Sequence, residues 1–78
     1  MPKLTLISGE KMLKLLALCD FEIVRIKGSH HFLKNKTKRS MTVVPVHGNE
    51  ELGVGLLISI LSDVDLSRKE YEKLRRKI

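Results

Sequence analysis

Long apolar runs, paired cysteines and acidic charge are what this sequence has little of, and each shortage removes a class of protein. No stretch approaches the ~18 consecutive apolar residues that a membrane helix requires. The start Met1-Pro2-Lys3-Leu4-Thr5-Leu6-Ile7 has no apolar segment followed by small residues, so the reading is a soluble, unexported, cytoplasmic chain with no membrane partner. A single cysteine, Cys19, leaves no intramolecular disulfide and no cysteine-based zinc cluster, which suits a reducing compartment. On its helical pattern it reads as a small buried apolar residue. Repeats, linkers and low-complexity tracts are missing too, and 78 residues have room for one modest core but little for a deep cleft. The expectation is one domain over 1–78, its core at about 7–66 and a basic helix at about 67–78, with function carried on a surface.

What is present is positive charge. Lys and Arg number 15 against 9 Asp and Glu, for a net charge of +6 and a pI near 9.8, which favours a polyanionic partner: nucleic acid, a membrane surface or an acidic protein. With 42% hydrophobic residues the chain is expected to fold, although its mean hydropathy is only -0.07.

Ser8 caps a first helix over 8–19, with Glu10 at the positive end of its dipole and Met12, Leu13, Leu15, Leu16 and Cys19 at helical spacing. Residues 21–27, rich in β-branched and aromatic side chains, make a first strand broken by Gly28-Ser29. Residues 30–34 make a second strand, 35–40 a polar hairpin loop, and 41–46 a third strand in which Pro45, without an amide donor, belongs at a sheet edge or a strand end. Val54, Leu57, Ile58 and Leu61 mark a second helix over 53–63. Ser67-Arg68-Lys69-Glu70 is a capping-box pattern that opens a basic helix with Tyr71, Leu74 and Ile78 on one face. The fold class is α+β, with helices on one face of a three-stranded antiparallel sheet and the other face open. Strand alternation leaves undecided which face is open, because Phe21 and Ile23 alternate to one side and Val24 and Ile26 to the other.

Chemistry concentrates in Lys27-Gly28-Ser29-His30-His31. An imidazole, with an unperturbed pKa of ~6.5, takes or gives a proton near neutral pH. Near a ribose 2′-hydroxyl it promotes attack on the adjacent phosphate, a reaction closed to DNA. Arg25, Lys27, Lys34, Lys36, Lys38 and Arg39 surround the segment in sequence and suit phosphate binding, and with Gly28, Ser29 and His47 they make up the expected RNA-binding set, though solvated strand and loop residues would account for the cations equally. From the residues alone, His30 and His31 point to opposite faces of a strand, and one solvated ring with the other hydrogen-bonded near the core outranks catalysis. Ser29 has no base and orienting carboxylate nearby and suits a turn or backbone hydrogen bond. His47, beside Gly48, suits a structural role in a turn ahead of orienting phosphate or carrying a second proton. Three histidines in this arrangement make no metal site, and no cofactor is expected.

Ser8-Gly9, Asp20-Phe21, Lys27-Gly28-Ser29-His30-His31-Phe32, Val43-Val44-Pro45-Val46-His47-Gly48 and Leu57-Ile58-Ser59-Ile60-Leu61, taken in that order, resemble the HicA family of mRNA interferase toxins over residues 7–66. Each piece is short; their colinearity carries the resemblance. It implies a double-stranded-RNA-binding-domain-like α-β-β-β-α fold, a type II toxin–antitoxin system, metal-independent endonucleolytic cleavage of mRNA, and inhibition by a HicB antitoxin covering the active surface. By position the family's catalytic histidine falls on His30, with His31 as the fallback. The sequence departs from the family pattern at Cys19-Asp20, where a Leu-Gly pair is usual, at Gly53-Val54-Gly55, which replaces a more basic helix start, and in a longer basic tail expected to cover the core through Tyr71 and Leu74. A non-catalytic RNA-binding module and a protein-only partner of an acidic regulator are the competing readings.

Overall fold

The computed structural model describes residues 4–78; Met1, Pro2 and Lys3, at the head of the segment read as lacking a leader, lie outside the described residues. Along the chain stand α1 (Gly9–Leu18), β1 (Phe21–Lys27), β2 (His30–Asn35), β3 (Met41–Pro45), α2 (Val54–Asp63) and α3 (Arg68–Arg75). The strands form one antiparallel sheet in the order β1-β2-β3. This is the expected α+β architecture with its C-terminal helical extension.

Local chemistry sets the helix ends. Lys11 N donates to the Ser8 side chain at 3.2 Å, capping α1. In α3 the box is reciprocal: Glu70 N donates to Ser67 Oγ and Ser67 N to Glu70 Oε1, each at 3.1 Å. These bonds to Ser67 hold the Glu70 carboxyl below the usual carboxylate range. At Gly9 a Cβ would run into the Pro45 carbonyl oxygen, so only glycine lets the start of α1 press on the end of β3.

The core gathers Met12, Leu15 and Leu16 of α1, Phe21, Leu33 and Val44 of the sheet, Leu57, Ile60 and Leu61 of α2, and Tyr71 of α3. Helix α2 does not bury the expected stripe. Val54 and Ile58 are about half exposed, while Leu57, Ile60, Leu61 and Val64 turn inward. Both sets have spacing i, i+3, i+4, i+7, because α2 is apolar nearly all round, and packing beside β3 chose between them. There Thr42, buried on the sheet, donates its hydroxyl to Asp63 Oδ2 at 3.0 Å.

Tyr71 is fully buried, and its hydroxyl donates to the Thr5 carbonyl oxygen. Burial pushes its pKa up to about 12. With Leu74 and Ile78 packed against the same core, the tail covers it as expected. Cys19 is half-buried at the end of α1, and burial raises its thiol pKa.

Candidate nucleic-acid interface

A β-bulge decides what the open face carries. Ile23 pairs with Leu33, but Arg25 pairs with Phe32, so Val24 is an extra residue in β1 and the alternation shifts by one. Directly opposed residues share a face. Phe21, Ile23 and Ile26 therefore lie on the side of Asn35, Leu33 and His31, where Leu33, Thr42 and Val44 are buried under the helices. Arg25 and Lys27 are transferred to the other side. This resolves the conflict in the β1 pattern: with one residue looped out, its apolar positions Phe21, Ile23 and Ile26 fall on one face. Ile23 and Ile26 remain exposed because β1 is an edge strand.

The open face is consequently made of three rows, Lys27-His30-Pro45, Arg25-Phe32-Val43 and Glu22-Lys34-Met41, read from β1 across to β3. The Arg25 guanidinium lies 5.9 Å from the Phe32 ring centroid, a cation–π contact. Beside Phe32 runs a groove of about 290 Å³ bordered by Met41, Val43 and, from α2, Leu56 and Ser59. Among the described residues no carboxylate forms an ion pair with Arg25, Lys27 or Lys34.

Gly28 and Ser29 are the two central residues of the turn joining Lys27 to His30. Gly28 has φ +59° and Ser29 does not share the positive value, the pattern of a type II′ hairpin with glycine at its first central position. A Cβ at Gly28 would meet nothing within 4 Å, so the glycine answers to backbone conformation and not to a close approach within the chain. The Ser29 carbonyl accepts Val46 N–H at 2.8 Å and lies 3.2 Å from His31 Nδ1. Ser29 thus has the backbone role expected of it.

The two adjacent histidines separate as strand geometry requires. His31 is half-buried on the helix side, its ring engaged with Ser29. His30 is exposed on the open face, and its imidazole makes no hydrogen bond among the described residues.

Not all the expected phosphate ligands come together. Lys27 flanks His30 directly, and Arg25 and Lys34 lie further along the same face. Lys36, Lys38 and Arg39 sit in the loop at the other end of β2, about 17 Å away at ~3.3 Å per residue. Lys38 faces the helix side, close enough to add a little to the lowering of Glu70 that Ser67 causes and to oppose slightly the rise that burial gives the Cys19 thiol. Neither Asn35 nor Phe32 was singled out from the sequence as an individual. Asn35 is buried; its Nδ2 donates to Cys19 O at 3.0 Å, and its Oδ1 accepts Thr37 N at 2.9 Å, Thr37 Oγ1 at 3.0 Å and Lys38 N at 2.9 Å. An asparagine opening a polar loop is the signal that would have found it. For Phe32 the signal was an aromatic residue among cations. No helix among the described residues is long and apolar enough to cross a membrane, and none of their His, Cys, Asp and Glu side chains form a group of three able to hold a metal ion.

A protein-family model described as the HicA toxin of bacterial toxin-antitoxin matches residues 9–66, leaving α3 outside the matched segment. No curated protein matches the chain.

Proposed function

The chain belongs to the HicA toxin family of bacterial toxin–antitoxin systems, and on that premise we propose that it is a metal-independent endoribonuclease that cleaves mRNA, with His30 as general base. The observation that supports this reading is the bulge-and-turn arrangement that sets an uncommitted imidazole on an open face between Lys27 and the end of β3.

His30 removes the proton from a ribose 2′-hydroxyl. The 2′-oxygen then bonds to the adjacent phosphorus and the bond from phosphorus to the 5′-oxygen breaks, leaving a 2′,3′-cyclic phosphate and a 5′-hydroxyl. Lys27, the cross-strand neighbour of His30, stabilises charge on the phosphoryl oxygens, while Arg25 and Lys34 hold phosphates further along the strand. Phe32 with its groove receives a base by stacking. Single-stranded RNA fits so shallow a surface. Membership of the family implies an antitoxin partner. In this reading it is a HicB-type protein that covers His30 with an acidic surface or an inserted side chain, and the encounter takes place in the cytoplasm.

The test is induced expression of wild type, His30→Ala and His31→Ala, following growth and new RNA ends, with purified protein assayed in EDTA. Wild type should arrest growth and cleave RNA in chelator; His30→Ala should lose about 10²–10⁴-fold in rate while melting like wild type, as expected for loss of an acid–base group. Loss confined to His31→Ala would move the base to the fallback residue. RNA bound without new ends would favour a non-catalytic RNA-binding module, and neither binding nor cleavage would favour a protein-only toxin.

A further inference from the structure

A general base at His30 accounts for one of the two protons that must move. When the bond from phosphorus to the 5′-oxygen breaks, the departing oxygen is a poorly stabilised alkoxide unless a donor meets it. His47 is placed to be that donor. The β2–β3 ladder ends with His30 opposite Pro45. Val46 N then donates to Ser29 O at 2.8 Å, carrying the antiparallel pattern one residue past the end of β3. This alternation also turns the Pro45 nitrogen away from β2, so the missing N–H leaves no gap in the ladder. His47 follows two residues beyond Pro45, just past the last paired residue, where strand alternation carried one step further puts it on the side of Pro45 and His30.

The backbone holds His47 there. Gly48 turns the chain at φ +58°, and Glu50 N donates to His47 O at 3.0 Å. Both His30 and His47 are exposed, and neither ring has a hydrogen-bond or ion-pair partner among the described residues. Lys27 lies on the opposite flank of His30. In-line cleavage calls for a base at the attacking oxygen and an acid at the leaving oxygen, on opposite sides of phosphorus, with a cation at the phosphoryl oxygens between them; His30, His47 and Lys27 supply one group of each kind.

We infer that His47 is the general acid of the site, giving its imidazolium proton to the 5′-oxygen as that oxygen leaves phosphorus. His30 gains the 2′-hydroxyl proton, His47 loses one, and exchange with water resets both, so no further reactant is required. The inference rests on the ribonuclease reading and deepens it.

It is tested with two otherwise identical oligoribonucleotides, one ordinary and one carrying sulfur in place of the bridging 5′-oxygen at the cleaved linkage. A thiolate leaves without being protonated. His47→Ala and His47→Gln should both cleave the oxygen substrate about 10²-fold or more slowly than wild type, yet return to within a few-fold of wild type on the sulfur substrate. His30→Ala should be slow on both. Thermal melts identify any variant that has lost its fold, and His47→Gln decides if His47→Ala has. Cleavage of the oxygen substrate by a His47 variant within about threefold of wild type overturns the inference alone. Equal slowing on both substrates also overturns it, since His47 would then hold phosphate without donating a proton. If wild type cleaves neither substrate, the ribonuclease reading falls and this inference with it.

Discussion

The two ends of β2 are both entered through short polar connections set among cations, and the chain uses them for different purposes. At one end Gly28-Ser29 makes a tight turn whose side chains stay out of the core, leaving His30 and Lys27 free on an open surface. At the other, residues 35–40 are organised around one buried amide: Asn35 ties the loop to the end of α1 through Cys19 O, and Lys36 N donates to Asp20 O at 2.9 Å. Local density of positive charge does not distinguish a binding surface from a structural corner. What distinguishes them is whether the polar groups are already satisfied by the chain or are left over for a ligand.

That contrast can be broken by mutation. Asn35→Ala should cost about 2–3 kcal/mol, because it removes both the anchor to α1 and the acceptor for two backbone N–H groups in a buried position. Denaturant unfolding measures this, and cleavage per folded molecule should be unchanged; lost activity in fully folded protein would show that the far loop takes part in the site. Lys27→Ala and Lys38→Ala remove the same charge at opposite ends. The first should lower the slope of log affinity against log salt for single-stranded RNA by about 0.7 and the second should leave it nearly unaltered. Equal effects would abolish the distinction.

The smallest effect expected is at Tyr71, which reports on stability alone. Tyr71→Phe should cost about 1 kcal/mol for the lost bond to Thr5 O. Since the folded phenol has a pKa raised to about 12 from an ordinary value near 10, its neutral form is favoured by folding. That contribution is fully present below about pH 10 and is lost as pH rises through about 12. Wild type should therefore lose more stability than Tyr71→Phe between these values, read by thermal melts across the alkaline range.

Much of the fold could be read from local chemistry. Ser8 and Ser67 announced their helices because a side-chain acceptor at an N-cap needs only its own neighbours. Gly28-Ser29 announced the break after β1 for the same reason, though not that the break is a two-residue turn, and Pro45 its place on an edge strand that ends there. Strand β2 runs one residue further than expected, to Asn35, because Asn35 N finds Ser40 O at 3.0 Å across the loop mouth.

The sequence by itself determined the order of elements, the caps and turns, the basic charge, and the motif around His30. These depend on interactions within a few residues or on composition. Only the tertiary structure decided which stripe of α2 is buried, which face Arg25 and Lys27 occupy, and which of two adjacent histidines is free. Each of those depends on a partner distant in sequence: β3 beside α2, Phe32 opposite Arg25 past the bulge, and the helices packed on the sheet face that carries His31 and not on the face that carries His30. An apolar helix and an edge strand with broken alternation satisfy more than one local rule, and burial against the rest of the molecule selects among them.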